Sequence, residues 1–267
     1  MTIDIYHINA FTYKKNIGNP ACVIELKNWL PDSTMLKIAK DNRVAETSFF
    51  IRDENSFSLR WFTPEIEMDL CGHATLATAH CIISQTNYEN ETILFKTKSG
   101  LLDVKFSNKM YHMNLPKREG KSAILPKAIY DALNIKPLET FKARDYMLVY
   151  KSEEDIKAIK VNQSIFDQIN IAPGGVIVTA PGKSSDFVSR FFTPQASVFE
   201  DPVTGSSHCT LTPYWANRLG KNELEALQLS KRGGKLFCIN KADKVQVSGQ
   251  AVTSKKSILE IKKSHHF

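Results

Sequence analysis

The chain is poor in the residues that staple or metallate small proteins. Its five cysteines, Cys22, Cys71, Cys81, Cys209 and Cys238, are odd in number, scattered, and nowhere spaced as CxxC. That speaks against a disulfide framework and against a structural zinc site. No apolar run approaches the roughly 20 residues that cross a bilayer. Neither a GxGxxG fingerprint nor a phosphate-binding P-loop occurs, so a nucleotide is not the favoured ligand. The opening, Met1 to His7, alternates like a strand and has no basic region ahead of an apolar core. No signal peptide is read, and the cytoplasm is the expected compartment. Basic residues exceed acidic ones to a formal net charge of +7, yet the surplus is dispersed. Its densest spots, Lys231-Arg232, Lys255-Lys256 and Lys262-Lys263, are short and lack interleaved aromatics. The excess therefore reads as solubility, and no nucleic-acid partner is expected.

What remains is an ordinary globular composition, 42% hydrophobic and 24% charged over 267 residues, enough for one large domain or two. Its organising feature is a repeat. Arg60-Trp61-Phe62-Thr63-Pro64 returns as Arg190-Phe191-Phe192-Thr193-Pro194. Each copy follows an alternating, strand-like segment and leads through a short acidic stretch to a glycine, Gly72 or Gly205, and then to a small-residue apolar run. Such runs, His73–Ser84 and Cys209–Leu219, are apolar nearly all round and predict buried helices. Pro213 is then expected in the first turn of the second. Two copies of one supersecondary unit imply two lobes with a site between them. The polar stretch Pro116 to Ser122 is the best linker, giving lobes at 1–116 and 117–267, the last strand able to cross back.

The remaining pattern predicts strands over 2–9, 21–26, 44–51 and 59–62 and three more between 93 and 115. Gly18-Asn19-Pro20 reads as a turn. A helix is expected from Asp32 or Ser33, capped there, with Met35, Ile38 and Ala39 on one face. The second half offers short helices near 126–133, 153–159 and 164–169, and strands at 146–150, 176–180, 187–192, 236–240, 244–248 and 258–261.

If the repeats face each other, Gly72 and Gly205 bring two helix N-termini to one point. Free N–H groups and the positive dipole end make that point an anion site, most simply for a carboxylate. Groups able to move protons gather in the same segments. Glu46 stands in an apolar strand, where desolvation raises a carboxylate toward a useful acid–base range. His73 follows Gly72, and Asp201 and Ser206 flank Gly205. Each has a plainer reading: Glu46 facing solvent, His73 satisfied by a carbonyl, Asp201 as turn chemistry before Pro202, Ser206 as a helix cap. Cys71 is either a buried hydrophobe or a thiol base.

Taken together, Gly18-Asn19-Pro20-Ala21, Ala45-Glu46-Thr47-Ser48-Phe49, the Arg60 motif, Cys71-Gly72-His73-Ala74-Thr75, Glu200-Asp201-Pro202-Val203-Thr204-Gly205-Ser206 and Ser248-Gly249-Gln250-Ala251 resemble the phenazine-biosynthesis (PhzF-like) isomerase family. The match runs nearly end to end. It implies an α+β fold of the diaminopimelate-epimerase type, with two pseudo-symmetric lobes, each a mixed barrel-like sheet around a central helix. It also implies no metal or organic cofactor, a small carboxylate-bearing substrate and a homodimer. Carried over by motif, Glu46 is the acid/base, with His73, Asp201 and Ser206 as the other catalytic groups. Asn19, Gly72, Ala74, Gly205 and Ser207 bind substrate. Related epimerases use two facing cysteines. Cys71 stands at the first such position, but the second falls on Thr204, so a one-carboxylate isomerase fits better than a two-thiol racemase. A non-catalytic small-anion binder on the same scaffold is the remaining alternative.

Overall fold

A computed structural model describes residues 2–12, 14–86 and 88–260. The expectations for Ile261 and Lys262-Lys263 lie outside them. The first half runs β1 (Thr2–Ala10), β2 (Asn19–Leu26), α1 (Asp32–Asn42), β3 (Glu46–Arg52), β4 (Phe57–Phe62), β5 (Glu67–Met68), α2 (Gly72–Gln85), β6 (Thr92–Thr97), β7 (Gly100–Ser107) and β8 (Met110–Pro116). The second runs β9 (Lys121–Ser122), α3 (Lys127–Ala132), β10 (Glu139–Lys142), β11 (Tyr146–Val149), α4 (Glu153–Ala158), α5 (Gln163–Phe166), β12 (Val176–Pro181), β13 (Phe187–Phe192), α6 (His208–Leu219), β14 (Glu223–Gln228), β15 (Gly234–Asn240), β16 (Lys244–Gly249) and β17 (Ala251–Glu260).

The fold class is α+β: the strands join in one 17-stranded mixed sheet, wrapped about two buried helices. The halves repeat the same pairings. β2 and β3 are parallel, β3 and β4 antiparallel, β4 and β6 parallel; β11 to β14 do the same in order. β8 pairs with β16, and β17 returns to pair with β1. α2 packs against β1, β2, β3, β8 and β17, and α6 against β14, β15 and β16. One apolar cluster fills the space around both helices, while α1 covers the outer face of one half and α3, α4 and α5 that of the other. β3 shows why its residues form a doubly buried strand rather than a half-exposed one. Phe50 packs in the inner cluster and its neighbour Phe49 in the outer one, so both faces want apolar side chains.

The repeated arginine has one job in both halves. Arg60 Nε and Nη2 donate to Glu67 at 2.7 and 2.8 Å; Arg190 Nε and Nη2 donate to Glu200 at 2.7 and 3.0 Å. Each planar fork holds the acidic stretch that follows its own strand, and so fixes the approach to Gly72 or Gly205.

Several local expectations are corrected. Gly18 does turn, with φ of +76°, but Asn19 and Pro20 already belong to β2, opposite Ala10 and Asn9. α1 buries Met35, Ile38 and Ala39, yet its cap position is Pro31, with no side-chain cap. Pro213 lies in the second turn of α6. The carbonyl it leaves without a helical partner, that of Cys209, accepts instead from the Arg118 N–H at 2.9 Å, which pins the linker to the helix. β10 and β14 were not anticipated, and β17 begins at Ala251, well ahead of 258.

Candidate active site

α2 and α6 start against each other. A Cβ placed on Gly72 would lie 3.0 Å from Gly205 Cα and 3.2 Å from Ser206 N, and one on Gly205 would lie 3.1 Å from Gly72 Cα. Only glycine permits so close a contact between two main chains. Neither helix carries a side-chain cap. The first N–H groups of α6, from His208 to Thr210, turn back onto the Gly205, Ser206 and Ser207 carbonyls at 3.1–3.2 Å, so the donors left for another acceptor are those at the start of α2 and in the turn from Gly205 to Ser207. Beside this junction is a cavity of about 270 Å³. One end is polar, with Glu46, His73, Arg144, Asp201 and Ser206; elsewhere the wall includes Ile66, Met68, Leu70 and Phe191.

Glu46 opens β3 and enters the cavity instead of facing solvent. Its Oε2 stands 3.1 Å from His73 Nε2, off the line a hydrogen bond requires, and each atom is buried without another partner. Both therefore keep capacity for a third group in the cavity. The opposite ring nitrogen, Nδ1, lies 3.0 Å from Asn19 Nδ2 and 3.6 Å from Cys71 Sγ. Asn19 has two amide hydrogens, and they go to Asp201 Oδ1 at 2.6 Å and the Val203 carbonyl at 2.8 Å. Thr204 Oγ1 donates to the other Asp201 oxygen at 2.6 Å.

Burial works against a charge on His73, but its acidic neighbours Cys71 and Glu46 outweigh it and hold the ring's pKa well above 6.5. Burial also pushes the Cys71 thiol up to about 11. At neutral pH Cys71 therefore keeps its proton. Burial lifts Asp201 to about 6 with Glu46 adding to the effect, against the opposing pull of His73, Thr204 and Asn19. One edge of Asp201 nonetheless meets the cavity. Donor atoms of Glu46, Cys71 and His73 lie within 4.8 Å of one another. The imidazole separates the other two, however, Glu46 facing Nε2 and Cys71 facing Nδ1, an arrangement suited to passing a proton rather than to chelation.

Of the residues singled out from sequence, Glu46, Cys71, Gly72, His73, Asp201, Gly205 and Ser206 line the cavity. Asn19, Ala74 and Ser207 do not. Each is fully buried: Asn19 bridges Asp201 to Val203 from behind, Ala74 faces the core in the first turn of α2, and Ser207 Oγ donates to the Thr204 carbonyl at 2.8 Å. Ser206 is no helix cap; its Oγ accepts from Arg144 Nη2 at 2.9 Å. Arg144 went unnoticed in sequence because no motif surrounds it. Of the loops that follow β1 and β13, that at 195–199 supplies Gln195, Ala196 and Val198 to the wall. The described part of 12–17 supplies none.

Residues 8–257 match the profile of a family described as phenazine biosynthesis-like protein. The chain belongs to this family. An uncharacterized isomerase of Halalkalibacterium halodurans is 42% identical to it over 264 residues, 97% of this chain and 99% of the relative. The solved structure of an Enterococcus faecalis phenazine biosynthesis protein of the PhzF family matches with a TM-score of 0.91 at 39% identity, covering 98% of this chain and 100% of that one. A probable proline racemase from Agrobacterium radiobacter matches with a TM-score of 0.68 at 8% identity, over 98% of this chain and 94% of that one, a likeness of fold alone. This PhzF-like chain is thus an enzyme of an isomerase family. No helix among its described residues is long and apolar enough to cross a membrane.

Proposed function

We propose that the protein is a cofactor-independent isomerase that moves a proton between carbons beside the carboxylate of a small acid or amino acid. The observation that carries this reading is Glu46, placed 3.1 Å from His73 Nε2 on the wall of a cavity where two uncapped helix starts meet. The substrate carboxylate rests against the N–H groups after Gly72 and Gly205, the positive ends of α2 and α6. Glu46 takes the proton as one C–H bond breaks, and the electron pair delocalises toward the carboxylate as an enediolate. The broken bond lies next to a carbon–carbon double bond of the substrate, so the pair is shared across that allylic system, and a new C–H bond forms at its far carbon with the proton that Glu46 holds as the double bond shifts. A positioned base contributes roughly 10²–10⁴-fold, and donors aimed at the developing charge typically contribute more. His73, protonated by its acidic surroundings, keeps Glu46 oriented and offsets charge as it builds. The lobes at 1–116 and 117–267, a homodimer and a cytoplasmic location belong to the same proposal.

The Cys71 epimerase is disfavoured, since the thiol keeps its proton to about 11 and its opposite number is Thr204. A small-anion binder is separated from an enzyme by isotope exchange. Glu46→Gln should reduce deuterium uptake from D2O into small carboxylates and amino acids, followed by NMR, by about 10²–10⁴-fold, with the melting temperature kept. Undiminished exchange in that variant would rule Glu46 out as the base. Exchange absent from the wild type across the panel would favour the binder.

A further inference from the structure

One residue of the cavity wall has no part in the acid–base set. Arg144 lies in the bend between β10 and β11 and is the only lysine or arginine among the residues lining the cavity. The same wall carries the carboxyl groups of Glu46, Glu65 and Asp201. With His73 the one other basic group there, an entering anion needs a fixed positive charge to offset them.

The guanidinium is held rigidly. Nε and Nη2 donate to the two oxygens of Asp145, each at 3.2 Å. Asp145 is 2% exposed and accepts the Gly175 N–H at 2.9 Å. Nη2 also donates to Ser206 Oγ at 2.9 Å. Nη1 is buried with no hydrogen-bond partner; the nearest acid to it, Asp69 Oδ1, is equally unpartnered at 3.8 Å.

A guanidinium only donates, so Ser206 must accept from it, and the hydrogen of its own hydroxyl is left over. Among the described residues no acceptor takes that hydrogen. Ser206 lines the cavity, and its backbone nitrogen sits at the Gly72–Gly205 contact. A hydroxyl backed by a cation is also a stronger donor than a free one, because bonds in a chain polarise one another.

We infer that Arg144 is the positioning residue of the carboxylate subsite: it engages Ser206 Oγ from behind and leaves the Ser206 O–H to donate to the anionic end of the substrate. This rests on the isomerase reading only for the kind of ligand.

The test uses benzoate and its neutral isostere benzamide as probes, titrated calorimetrically into wild type, Ser206→Ala, Arg144→Met, Arg144→Lys and the Ser206→Ala/Arg144→Met double variant. Wild type should bind benzoate saturably and well above benzamide. Either single removal should weaken benzoate roughly 10- to 100-fold, the range for a hydrogen bond to a charged group. The double variant should bind no more weakly than the poorer single one, since both remove one chain of bonds. Arg144→Lys should recover part of the loss. Losses that multiply in the double variant, unchanged affinity in Ser206→Ala, or no saturable benzoate binding by wild type would each overturn the assignment. If Arg144→Met fails to fold for want of a partner to Asp145, Ser206→Ala and Arg144→Lys still decide it. Deuterium exchange by the wild type separates the two readings: benzoate binding that stays Ser206-dependent while wild type exchanges no deuterium would sink the isomerase and leave this subsite standing.

Discussion

Asp201 occupies a costly position. Its carboxyl is buried beside Glu46, and although Asn19 and Thr204 each bond to it, its pKa is raised from 3.8 to about 6. A carboxyl whose folded pKa lies above its unfolded value is better accommodated protonated. Its favourable contribution is therefore complete below about pH 4 and lost as pH rises through about 6. Asp201→Asn keeps the shape, and the Thr204 hydroxyl can turn to accept from the new amide. The variant should be more stable than wild type at pH 8 by on the order of 1 kcal/mol, and so melt higher, the figure discounted because one edge of the residue meets the cavity. The gain should vanish by about pH 4, and activity should fall. Thermal denaturation at both pH values checks it; a variant less stable at pH 8 would show that the charged carboxylate is a net stabiliser. Buried polar groups of this kind are what an active site retains at the expense of stability.

Among elements, the contact between the starts of α2 and α6 sets the site. A methyl on Gly72 would meet Gly205 Cα, Gly205 C and Ser206 N at 3.0 to 3.2 Å, all backbone, with no flexible side chain to give way. Gly72→Ala should therefore cost about 1–3 kcal/mol and push the helix starts apart, weakening carboxylate binding more than a surface Gly→Ala control such as Gly220→Ala. Melting curves and benzoate titration measure both, and a Gly72→Ala protein with native affinity would mean the junction is not the subsite. These elements were legible because their signals are local. The Phe-Thr-Pro repeat, the glycines and the small-residue runs of α2 and α6 lie within a few positions of one another. β14 was not legible, since Glu223-Leu224-Glu225-Ala226-Leu227-Gln228 is made largely of good helix formers and is a strand only because β13 and β15 flank it. Arg144 was hidden for a similar reason: the Ser206 it serves is 62 residues away. Asn19, Ala74 and Ser207 share motifs with true wall residues, and only packing shows them to stand behind the wall.

Over the whole molecule the two halves share a scaffold but not a chemistry. Thr47 pairs with Phe62 and Val176 with Phe192, so the repeat places Glu46 against Gly175. One half supplies the carboxylate at this position; the other supplies the N–H that holds Asp145, and through it Arg144. The site thus needs both halves at a fixed separation, and β17 is one of the ties that set it. It pairs with β1 from Thr2–Glu260 to Ala10–Ala251, touches α2, and offers Thr253 Oγ1 to His80 Nε2 at 3.0 Å. A chain ending at Gln250 would leave β1 with β2 as its one strand partner and present its other edge to solvent. An unprotected edge is a template for another chain. The shortened protein should therefore melt several degrees lower and associate with rising concentration, by light scattering or gel filtration. Deuterium exchange at the substrate should also fall, because α2 loses a wall that holds Gly72 and His73 in place. A truncated chain with native melting temperature, native size and native turnover would show that β17 is dispensable, and that the pairing of β8 with β16 is tie enough.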